Sequence, residues 1–175
     1  MRNQKNDFRV LIKPWDESNL NLLYLLNTPQ MLEHLGGPEA EEQVIERHKR
    51  YIGVAETGTG CMFSIMLAPH DEPVGNVGYW ESVWQEETIY EIGWGILPPF
   101  QNQGIATAAT TAAIASAREQ KKYRYMHAFP SVDNPASNGI CRKLGFTLIS
   151  ECDFEYPKGS FLRCNNWRLD LKSHS

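Results

Sequence analysis

The chain has 175 residues, of which 42% are hydrophobic, and a formal net charge of −4 at pH 7. This length predicts one domain with a sizeable core, and the acidic balance argues against a nucleic-acid partner or an anionic membrane surface. No segment approaches the roughly 20 apolar residues of a spanning helix, and residues 1–7 lack the apolar stretch of a secretory signal. Because the four cysteines are scattered without a CxxC pair, we expect neither disulfides nor a metal site, and a cytoplasmic, reduced protein.

Hydrophobic periodicity and turn signals predict the element order β-α-α-β-β-β-α-β-α-β-β. Strands are expected at 8–13, 61–68, 74–81, 88–97, 124–129, 146–152 and about 161–171, with turns at 69–73 and 84–87. Helices are expected from 16 or 18 to about 27, near 38–54, over 107–117 and over 134–144, and the first should bury Leu22, Leu23, Leu25 and Leu26. The crossover from 88–97 to 124–129 should be parallel. We therefore predict a single α/β (α+β) domain over 1–175, with its core at about 8–171 and a mixed, mainly antiparallel central sheet flanked by helices.

The segment Gln101-Asn-Gln-Gly-Ile-Ala106 precedes the small-residue stretch that should form the third helix. A glycine at the start of a helix leaves the flanking backbone N–H groups accessible, and the helix dipole favours negative charge there. The segment therefore predicts a site where backbone groups, rather than lysines, hold a phosphate-bearing ligand.

Two blocks of the sequence carry a family resemblance. The run Tyr90-Glu-Ile-Gly-Trp-Gly-Ile-Leu-Pro-Pro-Phe-Gln-Asn-Gln-Gly-Ile-Ala106 matches the acetyl-coenzyme A motif (Gln/Arg)-x-x-Gly-x-(Gly/Ala) of the Gcn5-related N-acetyltransferases (GNAT). The block from Asn134-Pro-Ala-Ser137 to Lys143-Leu-Gly-Phe146 is similar to a second element of that family. The resemblance covers about residues 8–171, and Glu91-Ile-Gly-Trp94 and Met31–Gly37 resemble the branch that acetylates ribosomal-protein N-termini.

The resemblance implies acetyl-coenzyme A as the acetyl donor, with no metal. It implies that the arm of the cofactor pairs with backbone groups of Trp94 and Ile96 and with Asn134. It also implies that backbone amides hold the pyrophosphate, namely those of Asn102, Gln103, Gly104, Ile105, Ala106 and Thr107. Two departures stand out, because the family's usual tyrosine acid is Cys141 here and a glutamate base found in some members falls at Phe129.

Glu91 is the first candidate for a general base. By strand alternation it shares a face with Gly93 and Gly95, which present no side chains, so its carboxylate should look into a cleft. A bulge near either glycine would change this parity, and a structural ion pair is the alternative role. Glu81 is a weaker candidate, with a solvated strand end as its alternative.

Six further residues have two readings each. Ser137 either donates a hydrogen bond to the leaving sulfur or caps the fourth helix. Cys141 is read as a core thiol rather than an acid, and His127 as a core histidine rather than a proton relay. Trp80, Trp84 and Trp94 either wall an acceptor pocket or belong to the core.

These features predict an acetyl-coenzyme A-dependent N-acetyltransferase that transfers the acetyl group directly to a primary amine, either a protein N-terminus or a small molecule. An acyl-cysteine route is disfavoured, since no Cys–His pair has useful spacing. The alternative is a non-catalytic acyl-coenzyme A binding module without a competent proton acceptor. A homodimer is possible from the sequence.

Overall fold

The structure is a computed structural model that describes residues 8–69, 72–156 and 158–173. Its strands are β1 (Arg9–Pro14), β2 (Gly60–Ala68), β3 (Pro73–Trp84), β4 (Glu87–Ile96), β5 (Tyr125–Ala128), β6 (Thr147–Glu155) and β7 (Phe161–Asp170). Its helices are α1 (Leu20–Leu26), α2 (Glu41–Thr57), α3 (Ile105–Gln120) and α4 (Pro135–Lys143). The turn expected at 69–73 includes His70 and Asp71, which lie outside the described residues.

The seven strands form one sheet in the order β1-β2-β3-β4-β5-β7-β6. Only β4 and β5 pair in parallel, and the other neighbours are antiparallel. The crossover between the two parallel strands runs through α3. The predicted element order and the mixed, mainly antiparallel sheet are confirmed.

Helices cover both faces of the sheet. On the α3 face, the side chains of Tyr79, Tyr90 and Met126 pack with α3 in the larger core cluster. On the α2 face, Met62 and Trp80 pack against α1 and α2 in a second cluster. Because alternate residues of a strand point to opposite faces, Glu91 lies on the α2 face, next to Tyr90 on the other. None of the helices in the described ranges is both long and apolar enough to cross a membrane.

The second helix begins three residues later than predicted. The Asn27 side chain forms two hydrogen bonds with the backbone of Glu39. Its Nδ2 donates to the carbonyl of Glu39 at 2.9 Å, and its Oδ1 accepts from the N–H of Glu39 at 2.8 Å. These two bonds hold the chain before the helix outside helical geometry, and Ala40 becomes the N-cap with an extended backbone. The helix then runs to Thr57, past the predicted end, and stops at Gly58 in the left-handed conformation.

The prediction that Leu25 is buried was wrong. Leu22, Leu23 and Leu26 are buried, but 49% of Leu25 is exposed. The three buried leucines lie on one side of α1, and at 100° per residue Leu25 points away from their common centre. A seven-residue helix packed on one side therefore buries three of the four leucines that were predicted to be buried.

The buried side chain of Asn138 joins α4 to β7. Its Oδ1 accepts from Asn165 Nδ2 and from Trp167 Nε1, both at 2.8 Å. Its Nδ2 donates to the carbonyls of Ser131 at 3.0 Å and Asn134 at 2.7 Å. This amide therefore fixes the start of α4 relative to the sheet.

Replacing Asn138 with alanine should lower the free energy of unfolding by about 2–4 kcal/mol, because the indole N–H of Trp167 and the amide of Asn165 lose their acceptor inside the protein. Urea unfolding measures the change. Asn21→Ala, on the exposed side of α1, is the matched control and should change the free energy by less than about 0.5 kcal/mol. Equal effects of the two substitutions would contradict the assigned role of Asn138.

Candidate active site

A gap opens between β4 and β5. These strands pair at only two positions, Tyr90 with Met126 and Glu91 with His127. On its other edge, β4 stays paired with β3 from Glu87 to Ile96. Beyond Glu91, the edge of β4 that faces β5 therefore has no partner strand in the described chain.

The backbone of Trp94 points into this gap. In an antiparallel pair, alternate residues direct both N–H and C=O toward the partner strand. The N–H of Leu97 bonds the carbonyl of Val74 on the β3 side at 2.8 Å, so Trp94 and Ile96 direct their groups to the opposite edge. The carbonyl of Ile96 there accepts from Gln101 Nε2 at 2.8 Å, which leaves its N–H and both groups of Trp94 for a ligand.

The loop that follows β4 ends at the N-terminus of α3. The first bond of this helix runs from Ala108 N–H to the carbonyl of Gly104 at 3.1 Å, so the N–H groups of Ile105, Ala106 and Thr107 have no partner within the helix. Gly104 has a φ of +78°, and a Cβ built on it would have no heavy atom within 4 Å. The space in front of these donors is therefore open and suits a phosphate group.

Side chains of the loop itself brace it. Gln101 holds the carbonyl of Ile96, and Gln103 Nε2 donates to the carbonyl of Pro99 at 3.1 Å. Asn102 is exposed and has a φ of +61°, a conformation that asparagine tolerates better than most residues. The predicted cofactor-binding positions from Asn102 to Thr107 thus form one loop and the first turn of α3.

Asn134 is the N-cap of α4. Its Oδ1 accepts from the N–H of Ser137 at 3.1 Å, while its Nδ2 has no recorded partner within the described residues. The alternative reading of Ser137 as the capping residue was therefore wrong. The hydroxyl of half-buried Ser137 also makes no hydrogen bond within the described chain, so it can serve as a donor.

Glu91 lies on the α2 face beside Gly93 and Gly95, as the parity predicted. The register of β3 with β4 runs without a shift from Gly75–Ile96 to Trp84–Glu87, so no bulge intervenes. The carboxylate Oε2 accepts from Trp80 Nε1 at 2.6 Å. A Cβ on Gly93 would lie 3.2 Å from the Trp80 ring, so the absence of a side chain at Gly93 lets the indole lie across β4.

Burial raises the pKa of Glu91 to about 7, and the hydrogen bond from Trp80 acts in the opposite direction. Desolvation dominates because the charged carboxylate has lost more water than one donor replaces. The second carboxylate oxygen, Oε1, has no hydrogen-bond partner among the described residues. A carboxyl group with a pKa near 7 and one free oxygen can accept a proton near neutral pH.

Other candidates are structural. Glu81 forms an ion pair with Lys122, whose hydrogen bond lowers the pKa of this carboxyl group. Cys141 is fully buried, and burial raises the pKa of its thiol to about 12, so its reading as a core thiol is confirmed. Trp94 packs against the core of the α3 face, which leaves Trp80 and Trp84 on the side of Glu91.

The sequence reasoning missed the partners of two site residues. Trp80 lies opposite Glu91 because a two-residue turn joins Trp84 to Glu87 and so fixes the register of β3 with β4. The residue numbers of each pair add up to 171, so this pairing could be derived once the turn was placed. Asn166, which accepts from His127 at 2.7 Å, gave no signal in the sequence. At the position of the family's glutamate base, Phe129 stacks on Phe154 with centroids 4.6 Å apart.

In the portion of the chain that the structure describes, no group of three or more His, Cys, Asp or Glu residues is placed to hold a metal ion. The gap beside a parallel strand and the adjacent helix N-terminus with free backbone donors suit an extended phosphate-bearing ligand.

The family model of the acetyltransferase (GNAT) domain matches residues 9–147, and the chain belongs to this family. No curated protein matches the sequence. The fold is similar to that of a Salmonella typhimurium acetyltransferase that modifies the N-terminal serine of ribosomal protein L7/L12, with 22% identity, 92% and 94% of the two chains covered and a TM-score of 0.75.

Two other solved structures share the fold. The putative acetyltransferase yncA from Salmonella typhimurium, solved with acetyl-CoA, is 19% identical over 95% and 96% of the two chains, with a TM-score of 0.74. Spermidine N-acetyltransferase from Vibrio cholerae, in complex with CoA and spermine, is 14% identical over 93% and 95%, with a TM-score of 0.74. The expected GNAT fold is thereby confirmed.

The raised pKa of Glu91 predicts a pH-dependent stability. Between the usual glutamate value of 4.5 and about 7, the folded protein keeps a proton that the unfolded chain releases. The free energy of unfolding should therefore fall as the pH rises through this window, by about 2–3 kcal/mol between pH 5 and pH 8.

Urea unfolding of the wild type and of Glu91→Gln at both pH values isolates this contribution, because the amide does not ionise. The variant should gain stability over the wild type at pH 8 and much less at pH 5. Glu87→Gln, at an exposed position on the same strand, is the control and should not become more stable than the wild type at pH 8. If Glu91→Gln differed from the wild type by the same free energy of unfolding at both pH values, the pKa of Glu91 would not be raised.

Proposed function

We propose that this protein transfers the acetyl group of acetyl-coenzyme A directly to a primary amine, with Glu91 as the general base. The observation that carries the proposal is a desolvated carboxyl group, with a pKa of about 7, on the face of β4 next to the gap. The ammonium form of the acceptor gives its proton to Glu91, the amine nitrogen attacks the thioester carbonyl, and the carbon–sulfur bond breaks to release the coenzyme A thiolate. As the carbon–sulfur bond breaks, the nitrogen loses its second proton and the thiolate takes it up, so the products are the amide and coenzyme A. Ser137 is the hydroxyl proposed to donate a hydrogen bond to the sulfur.

The backbone geometry supports the proposed cofactor position. The N–H groups at the start of α3 would hold the pyrophosphate, and the groups of Trp94 and the N–H of Ile96 would pair with the pantetheine arm as an added strand would. A backbone N–H of this edge would also stabilise the negative charge that develops on the thioester oxygen. The free Nδ2 of Asn134 would donate to the arm from the other side of the gap.

The acceptor would approach Glu91 over the α2 face, since the α3 face is filled by the core. Proteins with this fold include one that acts on a ribosomal-protein N-terminus and one crystallised with spermine. We propose the same two classes here, a protein N-terminus or a small amine, and a panel of N-terminal peptides, polyamines and aminoglycosides separates them.

Two other functions fit the site less well. A binding module without catalysis does not need a carboxyl group with its pKa raised to about 7 beside the cofactor gap. An acyl-cysteine route requires a reactive thiolate, but burial raises the pKa of Cys164 to about 11 and that of Cys141 to about 12. Direct transfer is therefore the proposed mechanism.

The four free thiols are consistent with a reducing compartment, and we propose a cytoplasmic location. Homodimer formation remains a prediction, which size-exclusion chromatography with light scattering checks.

Glu91→Gln should lower kcat by about 10²–10⁴-fold, because the amide cannot accept the proton of the acceptor. Affinity for coenzyme A should stay within about twofold, since the side chain lies apart from the phosphate site. Steady-state thiol release and calorimetry measure the two quantities. Glu81→Gln is the control, because its carboxylate pairs with Lys122, and it should retain turnover. Unchanged turnover of Glu91→Gln would remove Glu91 from the mechanism.

Gly104→Ala should weaken binding of coenzyme A by about tenfold or more, because the methyl group would project into the open space in front of the α3 N-terminus. Gly58→Ala is the matched control, since Gly58 has a φ of +72° and equally open surroundings at the end of α2. Both variants carry the same backbone strain, so calorimetry should show a loss of affinity in Gly104→Ala alone. Equal affinities would place the phosphate elsewhere.

A further inference from the structure

His127 is a buried titratable residue on β5, directly opposite Glu91 on β4. The two residues are partners in the parallel β4–β5 register, and strand alternation puts both side chains on the α2 face. Adjacent strands lie about 5 Å apart, and the two side chains make no direct hydrogen bond with each other, so one water molecule would bridge them. His127 is only 6% exposed.

Asn166 selects the tautomer of His127. The distance from His127 Nδ1 to Asn166 Oδ1 is 2.7 Å. An amide oxygen can only accept, so Nδ1 carries the hydrogen and Nε2 is left as a proton acceptor. The ring also stacks on Phe129, with centroids 5.7 Å apart and an interplanar angle of 13°. The imidazole is thus held by two contacts, neither of which uses Nε2.

A cavity of about 110 Å³ adjoins the imidazole on the side away from the cofactor gap. Its polar lining includes Glu87, Tyr125, His127, Asn166 and Arg168. Such a cavity has room for several water molecules and partners to hold them. His127 therefore lies between Glu91 and a polar space that a proton can enter.

The charged surroundings favour a neutral imidazole that can be charged transiently. Burial lowers the pKa of His127 most strongly, the hydrogen bond that it donates to Asn166 raises it, Arg168 lowers it and Glu87 raises it. On the neighbouring strand β4, two titratable groups share this face, Glu87 and Glu91, and Glu91 is the register partner of His127. A neutral ring at pH 7 has its Nε2 lone pair available.

We propose that His127 is a proton relay that takes the proton collected by Glu91 and releases it to water in the adjoining cavity. The proton leaves the Glu91 carboxyl group and binds Nε2, which gives a transient imidazolium ion. It then leaves from Nε2 to a cavity water, while Nδ1 keeps its hydrogen throughout. The step resets Glu91 for the next acceptor and rests on the proposed role of Glu91 as the base.

The test is chemical rescue of His127→Gln, with acetylated product measured by chromatography. In a buffer that transfers protons poorly, kcat should fall by about a hundredfold while affinity for coenzyme A is retained, which also shows that the variant is folded. Added 4-methylimidazole should restore kcat in a concentration-dependent manner. Val83→Ala, at a position of β3 that is 70% exposed and outside the cavity lining, is the control and should keep its turnover and show no response to the added base.

Wild-type turnover of His127→Gln, or a loss that 4-methylimidazole does not repair, would overturn the relay. If His127→Gln does not fold, His127→Asn is used in the same assay. Asn166→Asp gives an independent readout, because a carboxylate beside Nδ1 should raise the pKa of His127. The acidic limb of the pH profile of kcat should then move to higher pH. A limb that does not move contradicts the relay. Glu91→Gln separates the two proposals, since unchanged turnover there removes the base, whereas failed rescue at His127 removes only the relay.

Discussion

β4 keeps its antiparallel pairing with β3 over its whole length, whereas its parallel pairing with β5 stops after two residue pairs. Unpaired backbone groups cost free energy unless they find a partner, and the free edge beyond Glu91 is therefore a set of donors and acceptors prepared for a ligand. Three parts of the site take their positions from this divergence. They are the carboxyl group of Glu91 in the last pair, the start of α3 beyond β4, and the N-cap of α4. The strand pairing therefore positions the proposed site.

The two faces of the sheet contribute differently to the site. The α3 face is a packed core that fixes the helix whose N-terminus would meet the phosphates. The α2 face excludes water from Glu91 without filling the space beside it, because Gly93 admits only the edge of the Trp80 indole. Desolvation with little charge compensation raises the pKa of the carboxyl group, and it also makes the folded protein less stable at high pH. The group that costs stability is the one proposed as the general base, as expected where function competes with stability.

Sequence patterns predicted the parts of this fold that depend on local chemistry. Alternation placed Glu91 with two glycines on one face, and the glycine before a small-residue run located the start of α3. Element order and the parallel crossover also followed from periodicity and chain connection rules. These features are local because each depends on residues close in the chain.

Contacts between distant segments were not predictable in this way. Asn27 delays the start of α2 through its bonds to Glu39, and nothing near Glu39 signals that partner. The hydrogen bond between His127 and Asn166 likewise joins residues that are 39 positions apart. The bond between Asn138 and Asn165 joins residues that are 27 positions apart. By contrast, the turn predicted at 84–87 was confirmed, with positive φ values at Gln85 and Glu86 although neither is a glycine. Its position fixes the register of β3 with β4, so the Trp80–Glu91 contact could have been derived from it.

The glutamines of the loop before α3 bear on the thermodynamics of cofactor capture. Their amides already tie the segment to the carbonyls of Ile96 and Pro99. A loop ordered in advance loses little conformational entropy when a ligand arrives, so more of the contact energy remains as affinity. The association should therefore resemble a rigid docking event at this corner, with small backbone displacements and a rate set by diffusion and orientation rather than by loop closure.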